Sequence, residues 1–143
     1  MTVESEALGC AVDLGSGRIL PHVTVERVRG ADDIAALSPD AWRSAPRAQA
    51  TLNALRLLKS ARPELPVIGA VCGPVTLAAM VMDAGIFFRL LRRNPDMARR
   101  LAEVAEEFVA GFALAQRGAG ADVILIAEPS ATGEILGARH FES

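Results

Sequence analysis

A chain of 143 residues, 51% hydrophobic and 22% charged, holds enough apolar material for one globular core. Its 15 Lys and Arg against 17 Asp and Glu give a formal net charge of -2, so there is no cationic surplus to neutralise a nucleic acid or an anionic membrane. The best apolar run, Val75 to Phe88, contains Asp83 and meets Arg89, well short of the roughly 20 apolar residues of a membrane span; it reads as buried helix. Cys10 and Cys72 are too few and too far apart for a C-x-x-C metal motif and read as reduced thiols. Leu8-Gly9-Cys10 has the outline of a lipoprotein cleavage site, but Glu4 and Glu6 stand where a leader would be basic and then apolar, so a cytoplasmic protein is expected.

In chain order, Cys10 to Leu14, the tight Gly15-Ser16-Gly17 and the near alternation of Val23, Val25 and Val28 predict a short hairpin outside the core. Two small helical turns follow, one capped by Asp32 and one opened by Ser38-Pro39-Asp40 ahead of Trp42. Arg47 to Ser60 is a helix with Ala48, Leu52, Leu55 and Leu58 as its stripe. Val67 to Cys72 is a continuous apolar run bounded by Pro66 and Gly73-Pro74, the pattern of a parallel strand covered on both faces. Pro74 opens another helix running to Met82. The longest helix starts at Asn94-Pro95-Asp96, carries Met97, Leu101, Val104, Phe108, Phe112 and Ala115 on one face, and is expected to stop at a left-handed Gly118. A second buried strand, Asp122 to Ala127, ends at Glu128-Pro129-Ser130.

Strand, long amphipathic helix and strand make a right-handed βαβ unit, so the fold class is α/β. Two parallel strands cannot cover their own faces and edges, and a (β/α)8 barrel needs about 250 residues. The expectation is therefore a partial (β/α)8 TIM barrel, a central βαβ segment of a larger barrel, with a free sheet edge beside Val123.

In such folds reactive groups lie in the loops after the strands. The first loop offers Gly73, Pro74 and Thr76, where glycine permits close approach and the N–H groups opening the next helix can receive an anion. A plain strand-to-helix turn explains the same residues, and Cys72 suits a buried filler better than a nucleophile. The second loop offers Glu128 and Ser130; a carboxylate at a strand end is placed for acid, base or anchoring work, while Glu134 decorates a helix start. His22 and His140 read as surface residues. No catalytic residue and no metal-binding residue is assigned, and no P-loop, dinucleotide fingerprint or H-E-x-x-H occurs.

Met1-Thr2-Val3-Glu4-Ser5-Glu6-Ala7-Leu8-Gly9 resembles the M-T-V-E-A-E-A-hydrophobic-G segment of corrinoid-dependent methyltransferases in the uroporphyrinogen decarboxylase superfamily. Three later stretches agree in order: Pro66 to Gly69 running into Gly73-Pro74-Val75-Thr76-Leu77-Ala78, then Ala119 to Asp122, then Glu128-Pro129-Ser130-Ala131 with Ile135-Leu136-Gly137 and Phe141. The family loop is usually A-D-P-x-A, so Glu128 stands for an aspartate. The resemblance covers essentially the whole chain and implies that residues 1–143 are an incomplete barrel domain of that superfamily.

The decarboxylase branch uses an early aspartate, which would fall before Met1, and a tyrosine, whose position here is Met80 in a chain with no tyrosine. The methyltransferase branch uses zinc to activate a thiol that takes a methyl group from methylcobalamin, and its H-x-C ligands belong to the later half of the barrel. The resemblance thus implies methyl transfer between a corrinoid and a small thiol. Zinc would be held in the full-length parent by ligands outside this chain, and the partner would be a corrinoid protein or free methylcobalamin. Gly73, Pro74, Thr76, Glu128 and Ser130 would wall one side of the pocket, and the segment alone would be inactive. The alternatives are uroporphyrinogen decarboxylation in porphyrin biosynthesis and a non-catalytic tetrapyrrole- or corrinoid-binding module.

Overall fold

The computed structural model describes residues 2–136. Its centre is the expected parallel pair: β3 (Ile68–Cys72) lies beside β4 (Val123–Ala127) in uninterrupted register from Ile68 opposite Val123 to Cys72 opposite Ala127. The two earlier strands, β1 (Ala11–Asp13) and β2 (His22–Val25), form the separate antiparallel hairpin, closed by a bridge between Ser16 and Ile19. β3 begins one residue later than the apolar run because Val67 is taken up by Asp122, whose carboxylate accepts from the Val67 N–H at 2.7 Å and pairs with Lys59 at 2.9 Å.

Burial on both faces of the sheet is not what the structure shows. Gly69 and Val71 turn toward the helices and are buried, whereas Ile68, Val123 and Leu125 remain 63%, 53% and 57% exposed on the opposite face. Among the described residues β4 pairs only with β3, so its outer edge is free, as expected beside Val123. Continuous apolarity is the pattern of a strand covered on both faces, and among the described residues nothing is laid on one of them.

Three helices make the crossover. α4 (Pro74–Val81) has proline in its first turn, and α5 (Ala84–Arg93) follows at 110° to it. The sequence reading of Val75 to Phe88 as one buried helix is thus corrected: Asp83 accepts from the Ile86 N–H at 2.9 Å and caps a new helix, so the acid that interrupts the apolar run is a start signal. No single helix among the described residues is long and apolar enough to cross a membrane.

α6 (Pro95–Gly118) begins where predicted, with the Asn94 side chain accepting from the Met97 N–H at 3.2 Å. Leu101, Ala105, Phe108 and Phe112 are the buried centre of its stripe, while Met97 and Val104 lie at its margin. The left-handed stop falls at Gly120 (φ 110°) and not at Gly118: Gly118 is the last helical residue, Ala119 caps the helix in right-handed conformation, and the chain reverses toward β4 at Gly120. Near the end of α6 the fully buried Gln116 crosses under Gly69. Its amide donates to the Ala70 carbonyl and accepts from the Ala70 N–H, both at 3.0 Å. That pairing closes part of the edge of β3 facing away from β4.

The remaining helices brace this unit. α1 (Thr2–Ala7) escaped the sequence reading, since six residues carry too little periodicity; it is held against α3 (Pro46–Ala61) by Arg47, 2.6 Å from Glu6. α3 buries Ala48, Leu52 and Leu55 but leaves Leu58 57% exposed, so the predicted stripe is one turn too long. α2 (Ala31–Ala35) has no side-chain cap from Asp32; Asp33 instead pairs with Arg27 and accepts from the Arg29 N–H, each at 2.8 Å. A 3-10 turn at Ala41–Arg43 seats Trp42 against Phe112, and α7 (Gly133–Leu136) closes the described chain.

Candidate functional site

β3 and β4 end side by side, which brings the two predicted loops together at the carboxyl ends of the strands. The Gly73 N–H donates to the Ala127 carbonyl at 2.8 Å and extends the ladder to the first loop residue. Glu128 then turns back across Gly73. One carboxylate oxygen accepts from the Val75 N–H at 2.9 Å; the other accepts from the Thr76 N–H at 3.0 Å and from the Thr76 hydroxyl. The Thr76 oxygen in turn accepts from the Ser130 N–H at 3.2 Å.

This arrangement explains the glycine. A Cβ on residue 73 would sit 2.6 Å from the Cβ of Glu128, closer than carbon atoms approach without something moving. The N–H groups opening α4 are the place where a fold of this kind receives an anion, and Glu128 fills it with the protein's own carboxylate. Thr76 is buried and Glu128 half-buried, so these bonds are partly sheltered from water. Pro74 holds the first helical position. The Ser130 hydroxyl has no hydrogen-bond partner among the described residues and is half-buried, which leaves it as the polar group of this site still open to a ligand.

Beneath the loops, Cys72 is completely buried. Burial first, and then the carboxylates of Glu4 and Glu128, push its thiol up to about 12, so it remains a neutral filler as the residue chemistry suggested. Glu4 is the residue that the sequence reading left out of the site. Only 3% exposed on α1, it accepts from the Cys72 N–H at 2.9 Å and so continues, after Gln116, the closure of the outer edge of β3. Its one signal was membership of the Met1 to Gly9 run, since nothing local marks an acid on a six-residue helix as buried.

Glu134 stands exposed in the first turn of α7, and His22 lies exposed on β2 with its ring nitrogen 3.1 Å from the Leu20 carbonyl. His140, Gly137 and Phe141 lie outside the described residues. Among the described residues no three His, Cys, Asp or Glu side chains gather as metal ligands, and Cys72 is held as a thiol. The described groups therefore offer no set of zinc ligands.

The sequence profile of uroporphyrinogen decarboxylase (URO-D) matches residues 1–143. The chain belongs to the uroporphyrinogen decarboxylase family. Within and around that family, it is 31% identical over 137 residues to the methylcobamide:CoM methyltransferase MtaA of Methanosarcina barkeri, covering 95% of this chain and 40% of that protein. It is also 31% identical over 125 residues to the uroporphyrinogen decarboxylase of Mycolicibacterium paratuberculosis, covering 83% and 34%. A solved methyltransferase from Methanosarcina mazei superposes with a TM-score of 0.91 at 29% identity, over 99% of this chain and 42% of its own. The chain thus spans well under half the length of these relatives. Its strands and crossover helices form part of a URO-D-type (β/α)8 barrel, as expected from the βαβ pattern.

Proposed function

We propose that residues 1–143 are part of a larger barrel domain in an enzyme that moves a methyl group between a corrinoid and a small thiol. The observation that carries this reading is the 31% identity over 137 residues to a methylcobamide:CoM methyltransferase. The site chemistry is compatible with it. Glu128 is committed to the start of α4 and Cys72 stays protonated, so this part of the barrel shapes a wall and leaves the attack to the substrate's sulfur. When bound, the corrinoid would supply the methyl group and the thiol would accept it and give up its proton, while the residues of this chain bind and orient them. Gly73, Pro74, Thr76, Glu128 and Ser130 line that wall, with the Ser130 hydroxyl available to a polar edge of the corrinoid or the thiol. The methyl carrier is free methylcobalamin or a protein-held corrinoid, zinc would be held by other parts of the parent, and the location is cytoplasmic.

The test is loss of the methylcobalamin absorbance on adding coenzyme M to the reading frame that contains this chain, with bound zinc measured in the same preparation. Thiol-dependent demethylation is expected. The similarity to a uroporphyrinogen decarboxylase favours a second reading, decarboxylation, in which Met80 would occupy the tyrosine position. Coproporphyrinogen formation without demethylation would decide for that reading and overturn the first.

A further inference from the structure

Five arginines, Arg89, Arg92, Arg93, Arg99 and Arg100, and one aspartate, Asp96, fall within residues 89–100, a local net charge of +4 in a chain whose total is -2. All five arginines are exposed. Among the described residues Arg89, Arg92, Arg93 and Arg100 form no ion pair, and Arg99 reaches Asp96 only at 4.0 Å. Elsewhere in the fold four arginines have close carboxylate partners, Arg27 with Asp33, Arg43 with Asp40, Arg47 with Glu6 and Arg62 with Glu64, while Arg18, Arg29, Arg56 and Arg117 stand singly and form no ion pair among the described residues. The cluster spans the two ends that meet at the α5–α6 turn, where like charges repel one another and, among the described residues, only Asp96 pairs with any of them.

Its place in the fold gives the cluster a use. Gln116, near the end of α6, is bonded to Ala70 in mid-strand, and the helix must run back antiparallel to the strands to complete the crossover. Its 24 residues extend about 36 Å, while a five-residue strand extends about 17 Å. The first turns of α6 and the end of α5 therefore project on the side of the strands' carboxyl ends, where Glu128, Thr76 and Ser130 lie.

We propose that the arginines of the α5–α6 turn are a docking rim for a carboxylate-rich protein surface, one that presents the methyl carrier to the mouth of the barrel. This deepens the methyl-transfer reading and rests on it for the cargo. An acidic protein fits better than a lipid surface because α5 turns Phe87 into the core and leaves Ile86 as its one exposed large apolar side chain. It fits better than nucleic acid because residues 84–100 contain no exposed aromatic ring for base stacking.

The experiment measures binding of a fluorescent 20-residue poly-glutamate peptide to the full chain by anisotropy, at about 0.05 M and about 0.2 M NaCl. Wild type is expected to bind and to weaken at the higher salt. The variant R92E/R93E/R99E/R100E should lose at least about tenfold in affinity, while R117E, at the far end of α6, should not change it. The milder R92Q/R93Q, with circular dichroism as folding control, replaces the reversal if that variant does not fold. Equal binding by wild type and the folded rim variant overturns the proposal, as does tighter binding to phosphatidylserine vesicles or to polyphosphate than to the peptide. Transfer from free methylcobalamin, measured on the same variants in the longer reading frame, should be unaffected by rim substitution. Absence of that transfer in wild type counts against the methyl-transfer reading, whereas loss of peptide binding alone counts against the rim.

Discussion

Glu128 does with its carboxylate what a bound substrate anion would otherwise do at the start of α4, and this decides how its replacement will read out. A Glu128→Gln variant keeps the shape and one acceptor but loses the charge-assisted bonds to Val75 and Thr76, and a loss of about 1–2 kcal/mol of stability is expected in urea unfolding. Gly73→Ala forces the same side chain out of place and should cost about 1–3 kcal/mol in the same measurement. Cys72 gives a pH dependence. Its folded thiol is raised from the ordinary 9.0 to about 12, so the native state holds the proton more tightly than the unfolded chain. The stabilisation is complete below pH 9.0 and is lost as pH rises toward about 12. Cys72→Ala should flatten the alkaline fall in thermal midpoint, and native Cys72 should resist a thiol reagent at pH 8 that labels it in urea. Glycine, proline and carboxylate in these two loops were legible as candidates; the bond between the loops was not, because 52 residues separate Thr76 from Glu128.

At the scale of elements, helix starts were the most readable features, since a cap acts on N–H groups within its own turn. Asn94 and the prolines at positions 74 and 95 stand where the sequence puts them. In the sequence alone Asp83 is an interruption of the apolar run, and its capping role shows only in α5 turning 110° from α4. Gln116 was invisible for a different reason. A glutamine near the end of an amphipathic helix has an ordinary surface explanation, and only the absence of a side chain at Gly69 lets it reach Ala70. Gln116→Leu leaves the Ala70 N–H and C=O without that partner at a part-buried strand edge. A loss of about 1–3 kcal/mol is expected, with faster hydrogen exchange at Ala70 than at Val71, whose N–H faces β4. Equal exchange at the two amides would show that Gln116 does not close this edge.

For the molecule as a whole, the decisive feature is the uncovered side of the parallel pair. Ile68, Val123 and Leu125, each more than half exposed, present apolar surface on that side, and among the described residues the outer edge of β4 is free, the combination that promotes association between chains. The isolated chain is expected to self-associate in light scattering, and Leu125→Lys to shift it toward monomer without loss of helix content. A wild-type chain that stays monomeric at high concentration would contradict this. The sequence by itself determined the α/β class, the parallel pair, the long crossover helix and the family, because apolar periodicity, local caps and ordered motifs are properties of neighbouring residues. Only the tertiary structure decided that Glu128 is spent on α4, that Glu4 and Gln116 close one edge of β3, and that a strand apolar along its whole length is covered on one face alone. Those outcomes depend on which groups remote in the chain come within hydrogen-bond reach, and on surface that a strand's composition anticipates but the helices of this segment do not supply.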